Sequence, residues 1–330
     1  MPRLLVHEPT YRRLAAEIAA RAPGMEILLI DNEGKITLDG VEVALEDARP
    51  DAAWANHELF LGPAARNFTV AMLKSPTLKW VQSAAAGFDY PIFGQLVAKG
   101  AALSTSHGQA VGMADYVLAG VLDHFQGGPA RRKAQSEKVW WRQPFREMTA
   151  SRWLIIGFGA IGQGVARRAK AFGAITVGVR RDPSTHVDAD EIVGLDALNS
   201  ELPAADVVVL SIPLSATTRH LANEAFFQAM KPRSVLVNVG RGALVDETAL
   251  LAALDLGVPE HAVLDVFETE PLPTESPFWS HPRVSLTGHA SGITGGQRHR
   301  NEALFLDNLA RFAAGEPLLN LAKPEDVLGG

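Results

Sequence analysis

Four short segments in the second half of the chain carry groups suited to reductive chemistry on an anionic carbonyl compound. They are a glycine-rich turn at 157–162, the segment Asn238-Val239-Gly240-Arg241-Gly242, a carboxylate-bearing segment at 264–272, and Gly288-His289-Ala290-Ser291-Gly292. Hydride transfer to such a compound needs a binding turn for a dinucleotide and three side-chain groups, namely a guanidinium, a carboxylate and an imidazole. Their order along the chain is therefore the first indication of a function.

The glycine-rich turn reads Gly157-Phe158-Gly159-Ala160-Ile161-Gly162 and follows an apolar strand-like run at 152–156. In such a turn Gly157 permits the tight bend, Gly159 lets a pyrophosphate approach the backbone, and Gly162 lets the helix pack closely. A helix that begins at Ala160 and Ile161 presents free N–H groups and its positive dipole end to phosphates. Because a strand precedes the motif and a helix follows it, the segment predicts a dinucleotide site.

The end of the next strand predicts which dinucleotide is used. An acidic residue there would bind the ribose 2′-hydroxyl, but this chain has Arg180 and Arg181. Two guanidiniums suit a phosphomonoester, so we expect NADP(H) to be preferred and NAD(H) to remain possible. In the alternative interpretation both arginines are solvated charges and Asp182 binds the ribose.

Reduction of a 2-keto acid requires a partner for the carboxylate, polarisation of the carbonyl, and a proton for the developing alkoxide. The planar fork of Arg241 suits the first two tasks, and His289 suits the third because histidine titrates at ~6.5. Glu270 would hold the imidazole and favour its protonated form. Arg241, Asp265 and His289 each follow an apolar strand run, so all three are predicted to meet at one edge of a sheet.

Composition limits the function further. The 330 residues are 47% hydrophobic, which suffices for about two domains, and the net charge of −6 with a pI near 5.9 indicates no nucleic-acid or anionic-membrane partner. The lack of cysteine excludes thiol catalysis, thiolate metal sites and disulfides, and we expect no metal. No apolar run reaches 18 residues and the segment 1–7 is too short for a signal peptide, so a cytoplasmic location is expected.

The hydrophobic pattern predicts two α/β layers. Residues 1–100 alternate short apolar runs with amphipathic ones, with strands expected at 4–6, 26–30, 52–55 and 78–82. From Trp153 the units are longer, and continuous β-branched runs between helices indicate a parallel sheet covered on both faces. Its strands are expected at 154–156, 175–179, 207–210, 235–237 and 262–264. The second half is therefore predicted to be a doubly wound nucleotide domain.

With these motifs the chain resembles the D-isomer-specific 2-hydroxyacid dehydrogenases over nearly its whole length, and in particular their glyoxylate/hydroxypyruvate reductase-like branch. The resemblance implies a Rossmann-type dinucleotide domain at 108–294 and a smaller flavodoxin-like substrate domain formed by 1–107 and 295–330. It also implies that Ala85, Ala86 and Gly87 bind the substrate carboxylate, and that Asp265 lies at the nicotinamide end. The further cofactor contacts that it implies are Pro213, Val239, Gly240, Arg241, His289 and Gly292.

Two departures from the family pattern concern the surroundings of the histidine. Asp115 stands where the family usually has glutamate, and Gly288 stands where proline commonly precedes the histidine. The resemblance also implies a homodimer whose contact uses residues 108–149. Trp140 or Trp141 then either reaches the neighbouring subunit's active site or packs in the dimer contact or the core.

The function implied is NADP(H)-dependent reduction of a small 2-keto acid, of the glyoxylate, hydroxypyruvate or phenylpyruvate class, to the D-2-hydroxy acid. Formate dehydrogenases carry glutamine where Glu270 stands, and phosphite dehydrogenases carry a lysine where Ala86 aligns. Both readings are therefore disfavoured. A dinucleotide-sensing corepressor or scaffold with little turnover is the alternative from another class of protein.

Overall fold

The computed structural model describes residues 1–60, 62–87 and 90–328 of the chain. It divides into two compact units, Met1–Gly108 with Gly295–Gly330, and Gln109–Thr294. The domain bounds expected from sequence, 1–107 with 295–330 and 108–294, stay a prediction. The assignment of the first unit to the substrate stays a prediction.

Fourteen strands lie in the described residues. In chain order they are β1 (Arg3–His7), β2 (Glu26–Ile30), β3 (Ile36–Leu38), β4 (Val41–Val43), β5 (Ala52–Ala55), β6 (Trp80–Ser83), β7 (Ala102–Ser104), β8 (Arg152–Ile156), β9 (Ile175–Val179), β10 (Glu191–Val193), β11 (Val207–Leu210), β12 (Val235–Asn238), β13 (His261–Leu264) and β14 (Val284–Leu286).

Twelve α-helices connect and cover them. They are α1 (Glu8–Arg21), α2 (His57–Phe60), α3 (Ala65–Lys74), α4 (Pro91–Ala98), α5 (Ala110–Phe125), α6 (Gly128–Ser136), α7 (Ala160–Ala171), α8 (Leu198–Glu201), α9 (Glu224–Ala229), α10 (Glu247–Leu256), α11 (Gln297–Ala314) and α12 (Pro324–Leu328). Within the described residues, none of these helices is long and apolar enough to span a lipid bilayer.

The first unit contains a seven-stranded sheet in the order β4-β3-β2-β1-β5-β6-β7. The five strands from β2 to β7 are parallel, and their order, second-first-third-fourth-fifth, is that of flavodoxin-type doubly wound sheets. Strands β3 and β4 add an antiparallel edge that the sequence did not predict, because each has only three residues. Strand β7 was missed for the same reason.

The long helix α11 belongs to the first unit, as the family resemblance implied. Phe305 on this helix is fully buried and stacks on Trp54 of β5 with ring centroids 4.0 Å apart. Its polar face pairs with α1, where Arg21 donates to Asp307 at 2.9 Å. The first unit is therefore built from both ends of the chain.

The second unit contains a parallel sheet in the order β10-β9-β8-β11-β12-β13-β14. This is the 3-2-1-4-5-6 order of dinucleotide-binding sheets with a seventh strand added, so the predicted fold class is confirmed. Alternate residues of β8 face different cores: Trp153 and Ile155 pack on one side, Leu154 and Ile156 on the other. Burial on both faces explains why the strands read as continuous apolar runs.

One segment of the second unit is more ordered than the sequence indicated. Residues 127–149 are polar, charged and rich in Arg, Lys and Trp, yet they contain helix α6. Trp140 beyond this helix is 89% exposed, whereas the ring of Trp141 approaches Gly127. The two tryptophans therefore have different surroundings within the unit.

Candidate active site

The glycine-rich turn has the backbone that the motif predicts. Gly157 adopts a left-handed φ of +97°, and a Cβ there would lie 2.5 Å from the backbone of Ser211 and Ile212 after β11. A Cβ on Gly162 would lie 2.3 Å from the carbonyl oxygen of Gly157, so the helix α7 requires glycine to pack this closely. By contrast, no atom lies within 4 Å of a Cβ built on Gly159. The turn thus leaves open space at the residue before the helix.

Helix α7 begins directly at Ala160 and Ile161, and Gly159 at its N-cap provides no side-chain acceptor. The N–H groups of the first turn have no partner within a helix, and they carry its positive dipole end. Open space beside such a helix end suits a phosphate group. The residues present therefore fit the pyrophosphate of a dinucleotide.

Arg180 follows β9 and folds over the adjacent loop. Its Nε donates to the carbonyl oxygen of Asp182, and its Nη2 donates to Ser184 Oγ and, at 3.2 Å, to the carbonyl oxygen of Ser184. The Asp182 carboxylate accepts from the backbone N–H of Ser184 at 3.1 Å, which closes this loop. Arg181 is exposed. Arg180 is thus half-buried and ordered by the loop that follows it.

The loop after β12 brings Arg241 to the carboxyl edge of the sheet. Val239 and Gly240 are buried, and the Asn238 side chain holds the turn by accepting from Gly240 N–H at 3.0 Å and donating to the Arg241 carbonyl oxygen at 2.9 Å. Arg241 itself is extended, and its Nη1 donates to the Gly240 carbonyl oxygen at 2.9 Å. The backbone of this arginine is therefore fixed from both sides.

Gly242 explains why a glycine follows the arginine. A Cβ at this position would lie 1.8 Å from the carbonyl carbon of Phe267 and 2.3 Å from the Glu268 nitrogen. The loop that carries Arg241 therefore touches, backbone to backbone, the loop that carries Glu268 and Glu270. Any larger residue would separate them.

His289 and Glu270 form the central pair of the site. His289 Nδ1 lies 2.7 Å from Glu270 Oε2, and the other oxygen of Glu270 accepts from Phe267 N–H at 3.0 Å. His289 has a left-handed φ of +51°, and its N–H donates to the Asp265 carbonyl oxygen at 2.7 Å. Because Nδ1 faces the carboxylate, the ring nitrogen left for a ligand is Nε2.

Asp265 is fully buried and holds the histidine segment. Its Oδ1 accepts from Thr287 Oγ1 at 2.5 Å and from Ala290 N–H at 2.8 Å, and its carboxylate also accepts from Ser291 N–H at 3.0 and 3.1 Å. The role that the family resemblance implied, contact with the nicotinamide end, stays a prediction. The carboxylate has a second task that the sequence did not reveal.

Two further pairs of side chains in the second unit were missed at the sequence level. Tyr116 on α5 contacts Thr287, and His220 pairs with Glu268 through Nε2 and Oε1 at 2.9 Å. Burial raises the pKa of Tyr116, as does the charge of Asp265, while the hydrogen bond to Thr287 acts in the opposite direction. The only sequence signals are that Thr287 precedes the Gly288-His289 pair and that Glu268 shares a segment with Glu270.

The remaining predicted cofactor contacts lie in loops beyond the strands. Pro213 is exposed after β11, in a turn closed by Thr218 Oγ1, which donates to the Pro213 carbonyl oxygen at 2.8 Å. Gly292 follows Ser291 and lies against Gln109, whose Cβ would be 3.1 Å from a Cβ on that glycine. Among the described residues, Ser291 Oγ and Gln109 Oε1 are two of three buried side-chain polar atoms without a hydrogen-bond partner.

The predicted substrate loop lies in the first unit after β6. Ala85 N–H donates to Ser83 Oγ at 3.0 Å, and the Ala85 carbonyl oxygen accepts from Ser106 N–H. Ala86 and Gly87 are half-buried. The family resemblance also implies that Phe88 and Asp89 continue this loop, but both lie outside the described residues. One of the three predicted N–H donors is thus already engaged.

The family departure at Asp115 has a partner within the second unit. Arg168 on α7 donates through Nε to Asp115 Oδ1 at 2.6 Å, at a place where the Asp115 side chain is 63% exposed. This pair joins α5 to α7. No catalytic group is involved in it.

Comparison with known proteins agrees with the geometry. Residues 118–291 match the model of the D-isomer specific 2-hydroxyacid dehydrogenase, NAD binding domain. The chain is 34% identical over 295 residues to glyoxylate/hydroxypyruvate reductase B of Citrobacter koseri, covering 83% of this chain and 86% of that protein. It is 31% identical over 189 residues to glyoxylate/hydroxypyruvate reductase A of Yersinia enterocolitica, a match that spans 57% of this chain and 60% of the relative.

A solved structure covers the whole fold. A D-isomer specific 2-hydroxyacid dehydrogenase from Xanthobacter autotrophicus, in complex with NADPH and MES, superposes with a TM-score of 0.76 at 28% identity. The superposition covers 99% of each chain. The likeness therefore includes both units.

Proposed function

The chain belongs to the D-isomer specific 2-hydroxyacid dehydrogenase family of NAD(P)-dependent oxidoreductases, and we propose that it reduces a small 2-keto acid to the D-2-hydroxy acid. The observation that carries this proposal is the 2.7 Å contact between His289 Nδ1 and Glu270 Oε2 at the carboxyl edge of the parallel sheet. This pair supplies a proton donor whose second nitrogen is available to a substrate. The names of the relatives support the glyoxylate and hydroxypyruvate class.

The reaction divides between three side chains. The reduced nicotinamide ring, when bound, supplies the hydride that adds to the carbonyl carbon. As the C=O electron pair moves to oxygen, His289 gives that oxygen the proton on Nε2, which leaves a neutral imidazole still bonded through Nδ1 to Glu270. Arg241 pairs with the substrate carboxylate and polarises the carbonyl through its planar fork.

We propose that the first unit offers backbone groups to a substrate carboxylate. Since Ala85 N–H already donates to Ser83 Oγ, the N–H groups of Ala86 and Gly87 are the donors that we assign to it. A loop that offers N–H groups binds an anion without adding a titratable charge.

Residues at the histidine segment also fit the nicotinamide end. Ser291 Oγ and Gln109 Oε1 are buried without hydrogen-bond partners, and an orphaned buried polar group is costly unless a ligand satisfies it. A carboxamide brings both a donor and an acceptor, which matches this pair of atoms. Asp265, directly before the loop to His289, would complete this end of the site.

We further propose that NADPH is preferred over NADH. Arg180 is ordered by the carbonyl oxygens and hydroxyl of the 182–184 loop, so its guanidinium is held near the strand end where a 2′-phosphate would lie. One charge-assisted contact contributes ~1.5 to 3 kcal/mol, which is roughly tenfold or more in affinity. The NADPH complex of the Xanthobacter relative supports this choice.

The cofactor proposal is tested by calorimetric titration of NADP⁺ and NAD⁺ into wild type, Arg180→Ala with Arg181→Ala, and the matched control Arg66→Ala, an exposed arginine of the first unit. The double variant should lose roughly tenfold in NADP⁺ affinity and little in NAD⁺ affinity. Tighter NAD⁺ binding by wild type would show the preference to be wrong. In that case loss of NAD⁺ affinity in Asp182→Ala would identify Asp182 as the ribose ligand.

The activity proposal is tested with a panel of 2-keto acids, each assayed with NADPH and with NADH, and with chiral analysis of the product. We expect turnover of glyoxylate or hydroxypyruvate, and a D product from every substrate whose product is chiral. Absence of turnover across the panel, with cofactor binding intact, would favour the sensing or scaffold alternative.

We also propose a homodimer whose contact uses residues 108–149. Trp140 is 89% exposed, and Val139 and Phe145 in the same segment are more than half exposed, so this segment presents unpartnered apolar surface. Light scattering at assay concentration should give twice the 35.4 kDa chain mass. A monomer mass would contradict the proposal.

A further inference from the structure

A hydrogen-bonded chain connects helix α5 to the histidine segment. Tyr116 OH and Thr287 Oγ1 lie 2.9 Å apart, and Thr287 Oγ1 lies 2.5 Å from Asp265 Oδ1. The Thr287 hydroxyl donates to Asp265, and Tyr116 OH, beside the Thr287 oxygen, donates to the Leu264 carbonyl oxygen at 3.4 Å. Tyr116 and Thr287 therefore form one hydrogen-bonded network around the buried Asp265 carboxylate.

The buried charge in turn fixes the residues around His289. Asp265 accepts from the backbone N–H groups of Ala290 and Ser291, and its carbonyl oxygen accepts from the N–H of His289. Every residue from 289 to 291 is thus bonded to this one aspartate. A rotation of the carboxylate would move the whole segment.

The segment needs this external support because its own backbone is weakly constrained. Gly288 has no side chain, and no atom lies within 4 Å of a Cβ built there. The next residue, His289, nevertheless holds a left-handed φ of +51°, a conformation that is unfavourable for a residue with a side chain. Contacts from outside the segment must therefore maintain the orientation of the imidazole.

We propose that Tyr116 and Thr287 are positioning residues for His289, acting through the buried carboxylate of Asp265. The inference rests on the proposed reduction of a 2-keto acid, in which His289 delivers the proton. Tyr116 and Thr287 do not touch the reacting atoms in this scheme. Their contribution is to hold Asp265 in the rotamer that orients the 289–291 backbone.

The proposal predicts a specific kinetic pattern. Thr287→Val keeps the shape of the side chain but removes the hydroxyl, and we expect kcat to fall about tenfold while KM for the cofactor changes little. Because a misplaced proton donor slows chemistry, the deuterium isotope effect on kcat with 4R- or 4S-deuterated reduced cofactor should rise. Thr287→Ser, which retains the hydroxyl, should restore kcat to within about threefold of wild type. Tyr116→Phe should give a smaller fall, because Thr287 keeps its bond to Asp265.

A matched control lies on β9, next to the opposite edge strand β10 of the same sheet. Thr176 on β9 is fully buried, and its hydroxyl donates to Asp190 Oδ2 at 3.0 Å. Thr176→Val removes the same kind of threonine–aspartate bond without approaching the histidine. We expect it to lower stability and to leave both kcat and the isotope effect unchanged.

The outcomes separate the positioning role from the proposed function. If wild type reduces no 2-keto acid, the function has failed and the chain of hydrogen bonds has no role in it. If wild type is active, and Thr287→Val leaves kcat and the isotope effect unchanged, or lowers kcat no more than Thr176→Val does, the positioning role is overturned. The positioning role is supported if Thr287→Val lowers kcat and raises the isotope effect, and if Thr287→Ser reverses both changes. Every rate is divided by the folded fraction of that variant, measured by circular dichroism.

Discussion

Two histidine–glutamate pairs in the second unit have nearly the same local chemistry but different surroundings. His289 lies 2.7 Å from Glu270 and His220 lies 2.9 Å from Glu268, both histidines have a left-handed φ near +50°, and both glutamates belong to the loop after β13. All four side chains are between one third and about one half exposed. Neither composition nor distance distinguishes the two pairs.

The ring nitrogen that is engaged does distinguish them. His289 uses Nδ1, the nitrogen nearer its own backbone, and leaves Nε2 at the far end of the ring. His220 uses Nε2 and leaves Nδ1 beside its own main chain. A histidine can deliver a proton to a ligand only through a nitrogen that the ligand can reach, so the first pair is suited to catalysis.

The backbone contacts of the second pair indicate a structural role. His220 N–H donates to the Ala243 carbonyl oxygen in the turn after Arg241, and Glu268 N–H donates to Glu247 Oε1 at 2.8 Å. Burial raises the pKa of Glu247, and so does the charge of Glu268, while the N–H bond acts in the opposite direction. The pair thus joins three loops, and a histidine–glutamate contact alone is no sign of catalysis.

The largest expected effect separates the two histidines directly. His289→Gln should lower kcat/KM for a 2-keto acid by ~10² to 10⁴-fold, because the general acid is lost. His220→Gln, the matched control, should lower it less than about tenfold, since only loop geometry is affected. Steady-state assays of both variants measure this. Equal losses would mean that the comparison between the pairs is mistaken.

Arg241 tests the loop that adjoins both pairs. Arg241→Ala should lower kcat/KM by at least ~10²-fold, because the substrate carboxylate loses its partner. Arg241→Lys retains the charge but loses the bidentate fork, so it should recover only part of the activity. If Arg241→Ala were near wild type, the assignment of this arginine to the substrate would fail. If His220→Gln matched Arg241→Ala, loop displacement would explain both.

The pH profile tests whether the charge of one glutamate tunes its histidine. Glu270→Gln removes the negative charge that lies 2.7 Å from His289 Nδ1, so the alkaline limb of reductive activity should move to lower pH. Glu268→Gln should leave the limb in place. The measurement is the initial rate of reduction from pH 5 to about pH 10. The upper limit is set at about 10 because tyrosine side chains begin to titrate there. A limb that moves in both variants, or in neither, would remove the distinction.

The smallest expected effect is on the free energy of unfolding. Here we expect the His220–Glu268 pair to matter more than the His289–Glu270 pair, the reverse of their effects on activity. Glu268→Gln is expected to lower the free energy of unfolding by ~0.2 to 1 kcal/mol, because the pair is partly exposed and solvent weakens it. Loss of its N–H contact to Glu247 is not expected, since the amide variant keeps the backbone. Urea unfolding followed by tryptophan fluorescence provides the comparison with Glu270→Gln. A larger loss in Glu270→Gln would assign a structural role to the catalytic pair as well.

Much of the fold could be predicted because the relevant signals are local. Continuous apolar runs at β8, β9, β11, β12 and β13 marked the parallel sheet, and burial of both faces is what produces such runs. Strands β3, β4, β7 and β10 were missed because three residues carry no periodicity, and the strand before His289, β14, was expected without bounds. The edge position of β4, β10 and β14 further weakens the apolar signal.

The candidate site was predicted as a set of residues but not as a network. Arg241 follows β12 and His289 follows β14, and β13 lies between these two strands in the sheet. Their position at one edge was therefore a consequence of the predicted topology. The buried hydrogen bonds of Asp265 had no sequence signal, because a lone aspartate after a strand looks the same whether it is buried or exposed. The variants of Arg241 and His289 described above test the roles of these two residues in binding and catalysis.

The chain carries in its sequence the types and order of the reactive groups and the glycines that the backbone requires, because both depend on residues a few positions apart. Gly157 and Gly162 are two of the glycines that could be recognised from the sequence alone. Long-range packing decides the rest: Tyr116 meets Thr287 across 171 positions, and the Asp265 side chain meets Ser291 across 26. No local pattern encodes such contacts, since they arise only when α5 and the loops beyond β13 and β14 pack together. The same packing selects Nδ1 of His289 for Glu270 and leaves Nε2 for the substrate.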